Sequence, residues 1–407
     1  MKNPIRAAKE AWANHKTRHT SVGVTCAIAD RISHLDPVVW DELVAPHSVM
    51  MSRRYLSALE RAGPSNVVGR YALLYSDQRP MAAIAAQRVT VRSDQITIAG
   101  TSKRKRAAGV LTRTLKHAEQ HMLVCGNLLS WGDHGLAIAT GVSAEERSSL
   151  MHGVAETLYR MRRADVLMGK TDIVMVKDVP PSREADAARL AAYSYRRLET
   201  EPNMVLNLKP GWSSFEDYLG AMTSSYRKNA RKIVKDVEEA GILLRRIDPS
   251  SENASRLHEL YMQVHSTASV RLFTLPQAFI PEVANAFGPD MLCTAAFKGH
   301  EMVGFVTTIK DNSTAIGYYV GFDRPTNQHT PIYFRLLYAA VQDAISLGCE
   351  RLSLGRTALE PKARLGAKPE PMSVFLRHRV PMLNVIVKAA VRGVHHDDAP
   401  DRNPFKV

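Results

Sequence analysis

The stretch LSLGRTALEPKARLGA, Leu352 to Ala367, crowds Arg356, Glu360, Lys362 and Arg364 behind an alternating apolar run that stops at Gly355. Arginine grips a phosphate or carboxylate through two parallel bonds, lysine acts as a point charge, and a carboxylate can take up a proton. Together at a strand end they suit an anion- or substrate-binding turn; paired with one another they make an ordinary solvated loop. In TAIGYYVGF, Tyr318 and Tyr319 alternate along a strand, so only one of them can face a cleft. Asp323 and His329 follow, just ahead of a helix start at Thr330-Pro331. Upstream, SSYRKNARKIVKDVEEAG carries Arg227, Lys228, Arg231, Lys232 and Lys235 in its first turns and acids at its end. Acids at a helix C-terminus oppose the macrodipole, so the basic stripe is either placed for contact or is a solvated face.

Other groupings point to less. His117 and His121 are four apart with Cys125 four further on, but Cys125 lies in an apolar run with strand character, and no metal is expected. Cys26, Cys125, Cys293 and Cys349 are scattered and form no C-x-x-C pair, which argues against a disulfide framework. The basic run Lys103–Arg106 would bind phosphates in a salt-dependent way but has no interleaved aromatic to stack bases. The tail FLRHRVPMLNVIVKAAVRGV has Arg377, Arg379, Lys388 and Arg392 and no acid. It fits a last helix docked on the domain, or peripheral contact with an anionic membrane.

These residues need a scaffold, and 407 residues with 45% hydrophobic and 23% charged content supply an ordinary globular chain of about two domains. The net charge of +14 and pI near 9.7 favour an anionic partner: nucleic acid, a membrane face or a polyphosphate. A polar N-terminus and the lack of about 20 consecutive apolar residues set the expected location as cytoplasmic. Helical signals run from DPVVWDELV to LERAG, closed by Gly63-Pro64, and strands follow at VGRYALLYS and PMAAIAAQRVTV. Ser143 and Glu146 form a capping box ahead of Leu150, Val154, Leu158 and Met161 at helical spacing. Strand, capped helix, glycine, strand occurs over 135–177 and again over 314–355. The expected fold class is therefore α/β (α+β), with mixed, mostly antiparallel sheets flanked by helices. The boundaries are an irregular segment 1–35, a first domain 36–208, a basic helical connector 209–241, a second domain 242–375, and a C-terminal helix and tail 376–407.

The order of SSYRKNARKIVKDVEEAGILLRRI, LHELYMQVH, KGHEMVGFVTTI, TAIGYYVGF and LSLGRTALEPKARLGA resembles the GNAT-fold acyltransferases. The resemblance is to their tandem-domain FemAB-like and BioF2-like branch, strongest over 212–370. It implies transfer of an acyl group from a thioester of coenzyme A or a carrier protein to a small-molecule or carrier-linked amine. It also implies a donor lying where two central strands splay apart, with Val320 and Gly321 on the splayed strand. Thr330, Ile332 and Tyr333, at the helix start, would take the donor's phosphates. The chain departs from ordinary GNAT sequences in DRPTNQHTP, which has no glycine-rich loop before that helix. Acyl transfer to an amine needs a base, for which Glu360 is the first choice, with His329 as an alternative base and Tyr319 as an acid. Arg356 and Lys362 would hold an anionic substrate, and Arg227 and Arg231 of the connector would add charge. Two rival readings follow: an aminoacyl-tRNA-dependent transferase, with tRNA as partner, and a non-catalytic binding protein in surface-polysaccharide or cell-envelope assembly.

Overall fold

The computed structural model describes residues 23–92, 119–268, 271–380 and 402–406, with 9, 12–17, 20 and 400. The run Lys103–Arg106, His117 and most of the tail beyond 380 lie outside the described residues. The first half comprises β1 (Val24–Ala29), α1 (Pro37–Val44), α2 (Arg53–Ala62), β2 (Val67–Ser76), β3 (Arg79–Arg92) and β4 (Glu119–Cys125). It continues through β5 (Leu136–Ile138), α3 (Ala144–Ala164), β6 (Ile173–Val179), α4 (Pro181–Ala187) and β7 (Arg196–Glu199). The second half runs β8 (Asn203–Asn207), α5 (Phe215–Ala221), α6 (Ser224–Glu239), β9 (Ile242–Arg246), α7 (Ser251–His265), α8 (Phe279–Phe287) and β10 (Met291–Lys298). It ends β11 (Glu301–Asp311), β12 (Thr314–Phe322), α9 (Arg324–His329), α10 (Ile332–Ser346), β13 (Arg351–Ser353), α11 (Leu359–Arg364), β14 (Lys368–Glu370) and β15 (Ser373–His378).

Two mostly antiparallel sheets result, ordered β1-β2-β3-β4-β6-β15-β7, with β5 on β3, and β14-β8-β13-β12-β11-β10-β9. The second sheet opens with β8, and one strand, β15, crosses back to the first sheet. Leu206 of β8 pairs with Leu352 of β13, and Leu376 of β15 pairs with Met175 of β6. Both strands are buried along nearly their whole length and lie inside their sheets, β8 between β14 and β13 and β15 between β6 and β7. This differs from boundaries at 208 and 375, which put each strand with the half it adjoins in sequence. Val24–Ala29, expected as irregular, is an edge strand paired with β2. His121 lies on β4, with its Nδ1 3.1 Å from Thr90 Oγ1.

The capping box at α3 forms as its residues demand: Glu146 N donates to Ser143 Oγ (3.2 Å) and Ser143 N to Glu146 Oε2 (2.8 Å). Leu150, Val154, Leu158 and Met161 are then fully buried beneath it. The expected long connector is instead two helices, broken where Met222 is extended. Tyr218, Leu219, Met222, Ala230, Ile233 and Val237 pack into the second half's own core, so α5 and α6 are part of that half.

A further core spans both halves, joining Trp40, Tyr55 and Tyr71 to Tyr261, Phe279, Phe287 and Tyr318. At its centre Tyr55 OH lies 2.8 Å from Tyr318 OH and accepts from Asn127 Nδ2 at 2.8 Å. Tyr318→Phe keeps the packing and removes one buried hydrogen bond. It should cost about 1 kcal/mol in chemical denaturation.

Candidate active site at the domain junction

Each half contains one parallel strand pair that parts. β4 and β6 pair from Met122↔Ile173 to Cys125↔Val176, and β12 and β13 from Thr314↔Arg351 to Ile316↔Ser353. Two residues past each last pair, the second strand turns left-handed: Asp178 at φ 57° and Gly355 at φ 78°. Gly355 is required there. Its φ favours glycine, and a Cβ would meet the Trp131 ring at 3.0 Å. Asn203 anchors the turn, taking the Gly355 N–H on Oδ1 (3.0 Å) and donating to Ser353 Oγ (2.9 Å). Ser353 Oγ also accepts from Trp131 Nε1 (2.8 Å). Ala358, again left-handed at φ 54°, then opens α11. Non-glycine residues in this region carry strain that tends to collect at functional sites.

The loop 126–135 of the first half inserts into the parting of the second. Leu129 O accepts from Tyr319 OH (3.0 Å), Trp131 covers Gly355, and Asn127 Oδ1 receives Leu129 N (2.9 Å). Trp131→Ala should cost about 3 kcal/mol, whereas Trp131→Phe, losing chiefly the bond to Ser353, should cost about 1 kcal/mol; denaturant midpoints separate them.

Behind the loop, the two parted strands meet through charge. Asp178 is fully buried and ion-paired to Arg356 through one carboxylate oxygen. Its other oxygen receives Lys177 Nζ (2.5 Å) and Gly132 N (2.9 Å), and Lys177 Nζ also donates to Ser130 O (2.9 Å). Two cations thus share one anion in a desolvated place. Burial pushes Arg356 down to about 10, and burial together with Arg356 pushes Lys177 well below the ordinary lysine value. His134, 6% exposed, lies beside Trp131 O at 2.8 Å through Nε2; burial, then Lys177, lowers its pKa to about 3. Lys362 on α11 is 4% exposed, and burial lowers its pKa to about 7, opposed only in part by Glu201.

A cavity of about 340 Å³ opens on the first-half side, lined by Arg31, Glu60, Arg70, Tyr71, Gln87 and Leu129 among others. Gln87 Oε1 accepts from Leu128 N (2.6 Å), so the cavity's floor is the same loop whose far side meets Tyr319 and Gly355. The volume suits a small-molecule ligand.

The other sequence-chosen residues are spread more widely. Glu360 is at the surface, paired with Arg364 and Arg402 (both 2.9 Å), which hold its carboxyl below the usual range and so weaken it as a base. His329 is exposed at the end of α9. Tyr319 is bonded to Leu129 O, and burial pushes its phenol well up. Gly321 lies against the backbone of Leu260 and Tyr261 on α7, and Val320 packs on the second-half core. At the start of α10, Ile332 is buried and its N–H goes to Thr330 O (2.7 Å), while Tyr333 N donates to Asn327 Oδ1 (2.9 Å). Arg231 is exposed and paired with Glu216, and Arg227 reaches Gly220 O (3.4 Å). Of this set, the junction brings together Arg356 and Tyr319, with Lys362 one short helix away. Lys177, Asp178, Trp131 and Asn203 escaped notice. The repeated strand-helix-strand grammar was their one signal, because Lys177-Asp178 occupies in the first half the place of Leu354-Gly355 in the second.

Residues 224–363 match the Acetyltransferase (GNAT) domain family. A Mycobacterium tuberculosis protein (strains CDC 1551 / Oshkosh and ATCC 25618 / H37Rv) that carries the name of an 8-amino-7-oxononanoate synthase is 25% identical over 268 residues, 63% of this chain and 33% of that protein. The chain thus spans about a third of the length of the curated relatives it matches. Among solved structures, FemX superposes with a TM-score of 0.55 at 10% identity, covering 89% of this chain and 100% of that one. A tandem GNAT protein from the clavulanic acid biosynthesis pathway gives 0.52 at 12% identity, covering 87% and 98%. With two mostly antiparallel sheets, each holding one parted parallel pair among the described residues, the chain has a tandem GNAT fold, and its second half carries the segment that matches the Acetyltransferase (GNAT) domain.

Proposed function

We propose that the chain is an N-acyltransferase that moves an acyl group from a thioester, of coenzyme A or a carrier protein, onto an amine at the junction of its two halves. The observation that carries this reading is Lys362: a buried lysine whose pKa burial lowers to about 7, on the short helix α11 that the strained turn after Arg356 opens. An amine must lose a proton as it attacks the acyl carbonyl, and the expelled thiolate must gain one; a group near neutrality does both. In this proposal Lys362 carries that proton, and Arg356 holds an anionic part of substrate or the developing oxyanion. The acceptor amine enters from the 340 Å³ cavity. Tyr319 then shapes the site through its bond to Leu129 O, Glu360 and His329 stand outside it, and Val320, Gly321, Thr330, Ile332 and Tyr333 border the donor.

A second reading, aminoacyl transfer from tRNA, is favoured by one specific feature. At each helix start that would cradle a pyrophosphate a side chain already takes a backbone N–H, Asn327 Oδ1 that of Tyr333 at α10 and Glu146 Oε2 that of Ser143 at α3. Arg227 and Arg231 would then meet the tRNA backbone. The test is turnover of a panel of amines with acetyl-CoA, long-chain acyl-CoA, an acylated carrier protein and charged tRNA, read by product mass. Thioester-dependent acylation that Lys362→Met abolishes supports the first reading. Thioester silence with salt-sensitive use of charged tRNA supports the second. Failure with every donor overturns both and leaves the binding-protein alternative.

A further inference from the structure

The segment after α3 presents apolar side chains to solvent. Val166 is 48% exposed, Leu167 96% and Met168 51%, with Tyr159 about two helical turns earlier at 42%. Scattered exposed apolar residues need no explanation, but three in succession at a tip do. This tip is held out rather than frayed. Asp165 is buried and gripped by Arg70 through Nε (3.0 Å) and Nη2 (2.7 Å), and the Met168 carbonyl accepts from the buried Arg88. Gly169 closes the turn at φ 105°, with the His121 ring where a Cβ would stand. The turn is clamped from beneath at both ends, so the three side chains cannot fold back onto the body.

Charge decides what covers it. Arg163 and Lys170 flank the tip, exposed and without an acidic partner among the described residues, and Arg162 lies over Tyr159 at 5.0 Å. Asp165 within the stretch and Asp172 just beyond it are buried and paired with Arg70 and Arg379, and Arg160 is paired with Glu156. Apolar and aromatic groups ringed by uncompensated cations match a bilayer interface, where apolar side chains enter the acyl boundary and basic ones reach the headgroups. A protein partner needs a broader and flatter patch than one turn.

We infer that residues 159–170 form an interfacial tip that seats the protein on an anionic lipid surface. Met168 also lines the 340 Å³ cavity, so the seated protein would hold that cavity's mouth at the headgroup level. This assignment stands apart from the acyl-transfer reading, because lipid binding is measured without turnover.

The experiment uses the full chain with phosphatidylcholine vesicles, with and without phosphatidylglycerol. Co-sedimentation is compared for wild type, Leu167→Asp and the pair Arg163→Ala/Lys170→Ala. Binding should require the anionic lipid, fall about tenfold or more in Leu167→Asp, and fall at least several-fold in the pair. All three positions are exposed, so folding is spared, and circular dichroism verifies it. In Leu167→Trp, the indole emission should shift blue with anionic vesicles alone. Equal binding of wild type and Leu167→Asp would overturn the inference and assign lipid contact to another basic segment such as Lys103–Arg106. An indole already shielded without lipid would also overturn it, as would a change in particle size in Leu167→Asp with vesicle binding intact.

Discussion

Lys362→Met is expected to melt at a higher temperature than the wild-type chain while turning over about 100- to 10,000-fold more slowly. The two effects have one cause. Lys362 is 4% exposed and burial holds its folded pKa near 7, below its ordinary value of 10.5. Folding must therefore leave an ammonium buried, or strip its proton. Below pH 7 both states are charged and the burial penalty is complete. Between about 7 and 10.5 the unfolded chain binds more protons, so wild-type stability rises with pH; above 10.5 the penalty is gone. Methionine, of similar length and without charge, removes that cost, worth about 1–4 kcal/mol for comparable buried charges. Its advantage should be greatest at and below neutral pH and fade toward pH 10. Thermal melts across that range measure the window, and the acidic limb of the rate profile near 7 should vanish with the lysine. A methionine variant that is stabilised yet fully active would remove Lys362 from the chemistry.

The site's legibility in the sequence divides along the range of the interactions. Local devices were readable: the Ser143–Glu146 capping box depends on residues three apart, and it forms as the spacing requires. The alternating runs of β10 to β12 were readable for the same reason. What could not be read is set by partners far along the chain. Nothing near Asn203 says that it will anchor Gly355, 152 residues later, and nothing near Lys177-Asp178 announces Arg356. The return of β15 to the first sheet hid the domain boundary in the same way, because a strand pairs wherever its neighbours offer free edges. Glu360 shows the converse. Its proximity in sequence to Arg356 suggested a shared cleft, yet one turn of α11 directs it to Arg364 and Arg402 at the surface.

The buried triad gives the other large effect, and its arithmetic of charge predicts which partner matters more. Asp178→Asn should destabilise the fold by about 3–5 kcal/mol, because it leaves Lys177 and Arg356 buried together with no counter-charge. Arg356→Ala removes one of two cations and leaves the Lys177–Asp178 pair neutral, so it should cost only about 1–2 kcal/mol. Combined, the two changes should cost less than their sum by about 1–3 kcal/mol, since the second relieves the repulsion that the first creates. Urea denaturation of the four proteins in the cycle measures this directly. Raising the pH should also rescue Asp178→Asn, because Lys177, already pushed well down by burial and by Arg356, then gives up its proton. Function should follow the opposite order. Arg356→Ala, the milder lesion to the fold, removes the group proposed to hold an anionic substrate, and Arg356→Lys keeps the charge without its two-point geometry. Both should raise KM well before they lower the melting temperature. If Arg356→Ala binds substrate as the wild type does and Asp178→Asn is no less stable than Arg356→Ala, the junction is a neutral fastener between two halves and the chemistry lies elsewhere.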